Sequence, residues 1–250
     1  MRVVTTVVIG GLLLCSASIL PAQPKPNRDR ARVHYRIGLE NLRAEAWDAA
    51  ARSFQQAIDV DPEFDLAHFG LGRADMGMKK YSDAVTAFTK CRDLLRAQAG
   101  RQFSNAQEAQ RYRRQRMDEI DETIRQYQAG RQTVQAQTAV RQLSEVKMQL
   151  REAIERGTNM TIASTVPAWV SLALGSAYFR SGKLLDAERE YKAAIVTDPR
   201  AGEAHSNLAV VYLEQERFAD AERSIAAAEK AGFRVNPQLK QDIKDRKKGT

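Results

Sequence analysis

The sequence predicts an all-α fold. It reads as helix-turn-helix units in two tandem pairs, interrupted by a long antiparallel helical hairpin and closed by a C-terminal capping helix. Three observations predict this. Ala, Arg, Glu and Gln dominate the composition, and these residues favour helix over strand. The chain aligns with itself at a shift of 34 residues in two separate places. Between those places, apolar residues recur at three-four spacing along otherwise polar stretches.

The first 22 residues read as an export signal. Arg2 gives a short positive start, and an almost unbroken apolar run from Val3 to Leu14 follows. Pro21-Ala22-Gln23 supplies a cleavage region. The expectation is a periplasmic or secreted protein. Membrane attachment would follow only if the signal stays on the chain or if Cys15 is lipidated, and Leu14 is larger than the small residue a lipoprotein box wants before its cysteine. Without Cys15 one cysteine remains, Cys91, so no internal disulfide can form.

The repeat register is explicit in residues 31–98. A shift of 34 places His34 on His68, Ile37-Gly38 on Leu71-Gly72, Trp47 on Tyr81, Ala50 on Ala84 and Phe54 on Phe88. In residues 168–233 the same shift places Leu174-Gly175 on Leu208-Ala209, Tyr178 on Tyr212, Ala187 on Ala221 and Tyr191 on Ile225. Pro62 and Pro199 end units, because proline lacks an amide donor and keeps the preceding residue out of helical geometry. Asn41 and Asp75 break the pattern where the other units carry an aromatic. This template resembles the tetratricopeptide repeat (TPR), in which a small residue on the first helix lets the second approach closely. The resemblance implies a solenoid, since a single unit cannot bury its own apolar face.

Residues 99–167 do not fit the register, because Asp118 and Glu152 would fall at small positions. Met117, Ile120, Ile124 and Tyr127 form one stripe, and Leu143, Val146, Leu150 and Ile154 form another. With Gly130 between them, they predict a hairpin of helices at 105–128 and 131–156, each arm about 35 Å long. Its polar stretch from Arg111 to Arg116 is expected to project into solvent or rest on a partner. Residues 157–167 read as linker. In residues 234–250, Asn236-Pro237 starts a capping helix with a thin Leu239, Ile243 stripe and a basic tail.

Little in the sequence points to catalysis. No Gly-rich phosphate loop or nucleophile elbow is present, and no strand pattern in residues 23–250 would mount one. His34, His68 and His205 each occupy the fourth place of a unit, so packing accounts for them better than a metal does. Asp118-Glu119 and Asp121-Glu122 read as helix surface, and Cys91 as a buried small residue. No enzyme activity, cofactor or metal is expected. The net charge of +8 is spread along the chain and does not mark a nucleic-acid binder.

The TPR resemblance implies a concave groove lined by the first helix of each unit. Its residues would be Tyr35, Leu39 and Leu42; Phe69, Arg73 and Met76; Trp169, Leu172 and Phe179; and Ser206, Val210 and Leu213. Such an apolar, aromatic surface marks an interaction site. The expected function is a scaffold or adaptor holding a peptide or helix of a protein partner. The alternative is self-association through residues 105–156, and an internally filled groove is the competing account of the apolar surface.

Overall fold

The computed structural model describes residues 27–98, 103–130, 134–157 and 166–249. The segment expected to be an export signal, with Cys15, and most of the expected 157–167 linker lie outside the described residues. Among the described residues there are eleven helices: α1 (Arg28–Arg43), α2 (Trp47–Val60), α3 (Asp65–Gly77), α4 (Tyr81–Gln98), α5 (Ala106–Ala129), α6 (Val134–Glu155), α7 (Ala168–Arg180), α8 (Leu184–Thr197), α9 (Gly202–Glu214), α10 (Phe218–Lys230) and α11 (Pro237–Lys248). The first four helices and α7 to α10 make four antiparallel pairs. None of the described helices is long and apolar enough to cross a membrane.

The first three pairs are closed by glycine against aromatic. An added Cβ at Gly38 would sit 2.6 Å from the Phe54 ring, at Gly72 2.6 Å from Phe88, and at Gly175 2.7 Å from Tyr191. The same Phe54 ring would meet a Cβ at Gly70 at 2.5 Å. One aromatic therefore wedges between its own unit and the next, which is how stacking builds a continuous core. In the fourth unit Ala209 and the smaller Ile225 stand at these two positions, both buried in one core cluster.

The four turns inside the pairs share one geometry. Glu45, Lys79, Gly182 and Glu216 all take a left-handed backbone, with φ of 55°, 61°, 78° and 59°. The next amide in each case reaches back five residues, as in Ala46 N to Asn41 O at 2.9 Å and Lys183 N to Tyr178 O at 2.9 Å. This closes the orphan carbonyls of the first helix. His68 and His205 are also equivalent. Their Nε2 atoms lie 3.0 and 3.3 Å from the carbonyl oxygens of Pro62 and Pro199, which fixes the turn between units. Burial pushes the His68 pKa down and keeps the ring neutral.

The two repeat pairs stack directly, α4 against α7. Phe69 meets Trp169 edge-on with centroids 4.3 Å apart, and Arg92 pairs with Glu190 at 2.6 Å. The solenoid is thus continuous, and the hairpin is an insertion at its middle joint.

The hairpin folds back onto the first helices of the units. Ile120, Leu143 and Leu150 are buried within it. Its arm α5 lies along α1, where Tyr35 bonds Thr123 at 2.7 Å, Arg36 pairs with Glu122 at 3.3 Å and Arg28 with Glu119 at 3.3 Å. The other arm anchors at α7, where Gln142 Oε1 accepts from the Trp169 amide at 3.2 Å. Asp198 accepts from Arg141 at 2.5 Å and from Gln142 at 3.0 Å.

Two expectations fail here. The polar stretch does not simply project outward. Arg113 is 2% exposed and donates to the Ala153 carbonyl at 3.2 Å, while Arg116 binds Asp65 in a fork at 2.5 and 2.8 Å. Glu119, read as surface, is also 2% exposed and accepts from Arg116 at 3.1 Å. The cause is tertiary: Asp65 opens α3 fully buried, and charge at that depth needs a partner.

At the far end α11 covers the last pair with Ile243, which is buried, and Asn236 caps it by accepting from Gln238 N at 2.9 Å.

Candidate functional site: a cavity between the concave face and the hairpin

A cavity of about 620 Å³ lies between the first helices of the units and the hairpin. Seven of the twelve residues expected to line a groove line this cavity: Leu42, Phe69, Arg73, Met76, Trp169, Phe179 and Val210. The hairpin supplies Gln126, Tyr127, Gly130, Ala136 and Ala139 as the opposite wall.

The other five are not brought there. Tyr35 is 1% exposed under its bond to Thr123. Leu39 is covered where its carbonyl accepts from Gln126 Nε2 at 3.0 Å. Leu172 and Leu213 belong to the apolar core of the second repeat pair, and Ser206 is buried. The open groove expected along all four units is therefore corrected: α5 fills its N-terminal half. The reason is complementarity, since α5 offers Thr123, Glu119 and Arg116 to groups that α1 and α3 leave unpaired.

Aromatic rings dominate what remains. Phe69 meets Phe88 at a tilt with centroids 5.1 Å apart and Trp169 edge-on at 4.3 Å. Trp47, Tyr191 and Phe179 complete the wall. Arg73 lies over the Tyr127 ring at 4.9 Å and donates to Gln126 Oε1 at 3.4 Å, so one arginine fixes the hairpin tip. The Tyr191 hydroxyl donates to Ser176 at 3.2 Å, and burial with the nearby Glu203 carboxyl pushes its pKa up to about 12.

Two buried polar atoms on this wall have no hydrogen-bond partner among the described residues, Trp169 Nε1 and Glu203 Oε2. Burial alone raises the Glu203 pKa. Buried polar groups are normally satisfied, so these two atoms set this stretch of the wall apart. Sequence reasoning missed Glu203, Tyr191 and Trp47. Glu203 reads as an ordinary acidic residue in a helix's first turn, and the two aromatics stand at structural positions of the template.

The described residues give no constellation for catalysis. No three potential metal ligands of the His, Cys, Asp and Glu type converge among them. Cys91 is fully buried and its thiol pKa is raised well above normal by burial, which makes it unreactive.

None of the curated proteins compared matches this sequence. Solved structures are similar at low identity. TTC0263, a thermophilic TPR protein in Thermus thermophilus, is 19% identical, with 86% of this chain and 98% of that chain covered and a TM-score of 0.35. MamA from Desulfovibrio magneticus is 16% identical, with 82% and 96% covered and a TM-score of 0.31. The TPR2AB domain of yeast Sti1, solved as a pHSP90 complex, is 15% identical, with 88% and 100% covered and a TM-score of 0.30. Likeness at this level carries nothing about partners. The tetratricopeptide repeat family model matches residues 35–99 and 172–234, together just over half of the chain. These blocks hold the four helix pairs, and the chain belongs to the tetratricopeptide repeat family, whose members generally mediate protein–protein interactions.

Proposed function

We propose that the protein is an exported interaction scaffold that takes an apolar segment of a partner protein into the cavity beside Trp169. The carrying observation is the cavity itself. The hairpin covers half of the concave face and stops short of the rest, leaving aromatic walls with two orphan polar atoms. Rigid aromatic anchors in a desolvated pocket are what hot spots are made of. The apolar run at the N-terminus supports the export reading, and with it a partner in the cell envelope or outside it. Self-association through residues 105–156 has less support, because the hairpin's apolar stripes are buried against each other and the solenoid.

The test uses a photo-crosslinking side chain at Val210, on the cavity wall, and at Arg223, on the exposed face of α10. The Val210 probe in exported protein should capture a discrete partner that Trp169→Ala diminishes, while the Arg223 probe does not. Equal capture from both positions, unaffected by Trp169→Ala, would contradict the proposal.

A further inference from the structure

We propose that the cavity receives a lysine side chain of the partner, its ammonium on the Glu203 carboxylate and its aliphatic stem among the aromatic rings. This rests on the cavity being the partner site, and it names the chemistry recognised there.

Glu203 is the unusual group. It stands in the first turn of α9 and makes no hydrogen bond or ion pair with any described residue. Three other carboxylates that are buried are held by arginine: Asp65 by Arg116, Glu190 by Arg92 and Asp198 by Arg141. Glu203, by contrast, lines this cavity and has no cation among the described residues. A buried carboxylate without a cation is costly, and a guest bearing one would remove that cost.

The charged and titratable groups around the cavity are few. Arg73 on α3 is engaged with Tyr127 and Gln126. Arg43 at the end of α1, Glu45 just beyond it and Arg180 at the end of α7 are exposed, so their fields are screened by solvent. Tyr191 on α8 and Tyr127 on α5 carry high-pKa hydroxyls and stay neutral. None of these makes an ion pair or hydrogen bond with Glu203. Lysine fits better than a small cation because its four-carbon stem can lie on apolar walls while the ammonium reaches a carboxylate. Ammonium groups are also drawn to ring faces such as those of Trp169 and Tyr191.

The test titrates the purified protein with three probes of equal chain length: n-hexylammonium chloride, n-hexanol and sodium hexanoate. Binding is followed by indole fluorescence and by NMR shifts of Trp169 and Val210. Hexylammonium should bind about tenfold tighter than hexanol, the value of one charge-assisted hydrogen bond. Glu203→Gln should bring hexylammonium down to the affinity that hexanol has for the same variant, and Glu203→Asp should restore part of the advantage. The ammonium advantage should also grow as pH rises through the Glu203 ionisation and be flat in Glu203→Gln. If hexanol binds and hexylammonium is no tighter, the lysine proposal is overturned while the cavity reading stands. Hexanoate binding tightest, with dependence on Arg180, overturns it in favour of an anionic guest. If no probe shifts Trp169 or Val210, both the proposal and the cavity reading fail.

Discussion

The hydroxyl of Tyr35, in the first solenoid helix, hydrogen-bonds the hydroxyl of Thr123 in the hairpin at 2.7 Å, with both residues buried. Thr123 itself donates to the Glu119 carbonyl, so Tyr35 is the donor in this pair. Burial holds the Tyr35 phenol protonated far above its ordinary range. This one contact marks where the chain's own helix occupies the concave face. Tyr35→Phe keeps the ring against Phe54 and Phe64 and removes only the donor, so it should cost about 1 kcal/mol. Urea unfolding should show that loss, and amide exchange in α5 should quicken.

The arginines of the hairpin should separate sharply. Arg116 grips Asp65, which has no exposed surface, whereas Arg114 is exposed. Arg116→Ala strands a buried carboxylate and should cost about 3 kcal/mol. Arg114→Ala should fall within about 0.5 kcal/mol of wild type. Equal effects would mean the hairpin is not seated on α3.

Asp75 should make stability depend on pH in an unusual direction. It replaces the aromatic of the repeat template, and burial, with the neighbouring Asp83, raises its pKa to about 6 while Lys80 lowers it. The folded state therefore binds this proton more tightly than the unfolded state does. The contribution is harmless near pH 4 and turns destabilising as pH rises through about 6. Asp75→Asn should raise stability by about 2 kcal/mol at pH 7 and change little at pH 4. Thermal denaturation at the two pH values checks it.

The left-handed turns should respond according to the residue they hold. Gly182→Ala places a Cβ at φ of 78° and should cost about 1 kcal/mol. Lys79→Gly relieves the same conformation at φ of 61° but frees the unfolded chain, so the two terms offset within about 0.5 kcal/mol. Urea unfolding of the two variants beside wild type checks both.

Much of the architecture was legible because it is local and periodic. Gly38 with Phe54 and Gly175 with Tyr191 announce their pairing by spacing alone, and the hairpin arms expected at 105–128 and 131–156 are observed at Ala106–Ala129 and Val134–Glu155. Asn41 and Asp75 were visible as departures, though not the burial that gives Asp75 its consequence. The site was legible only in part. Where the hairpin comes to rest depends on pairs such as Tyr35 with Thr123 and Asp65 with Arg116, far apart in sequence and outside any repeat. A charged stripe that is half buried looks like one that is wholly solvated until its partners are known. Glu203 gives no sign in the sequence that its cation is missing.

The central claim is that the hairpin lies in the concave face and leaves the Trp169 cavity open. Spin labels at Glu40 on α1 and Arg125 on α5, both exposed, test it by double electron–electron resonance. A hairpin seated on α1 gives a single narrow distribution at short distance, and addition of a cavity guest leaves it in place. A broad distribution reaching long distances would contradict the account, since the groove would then be free along its whole length.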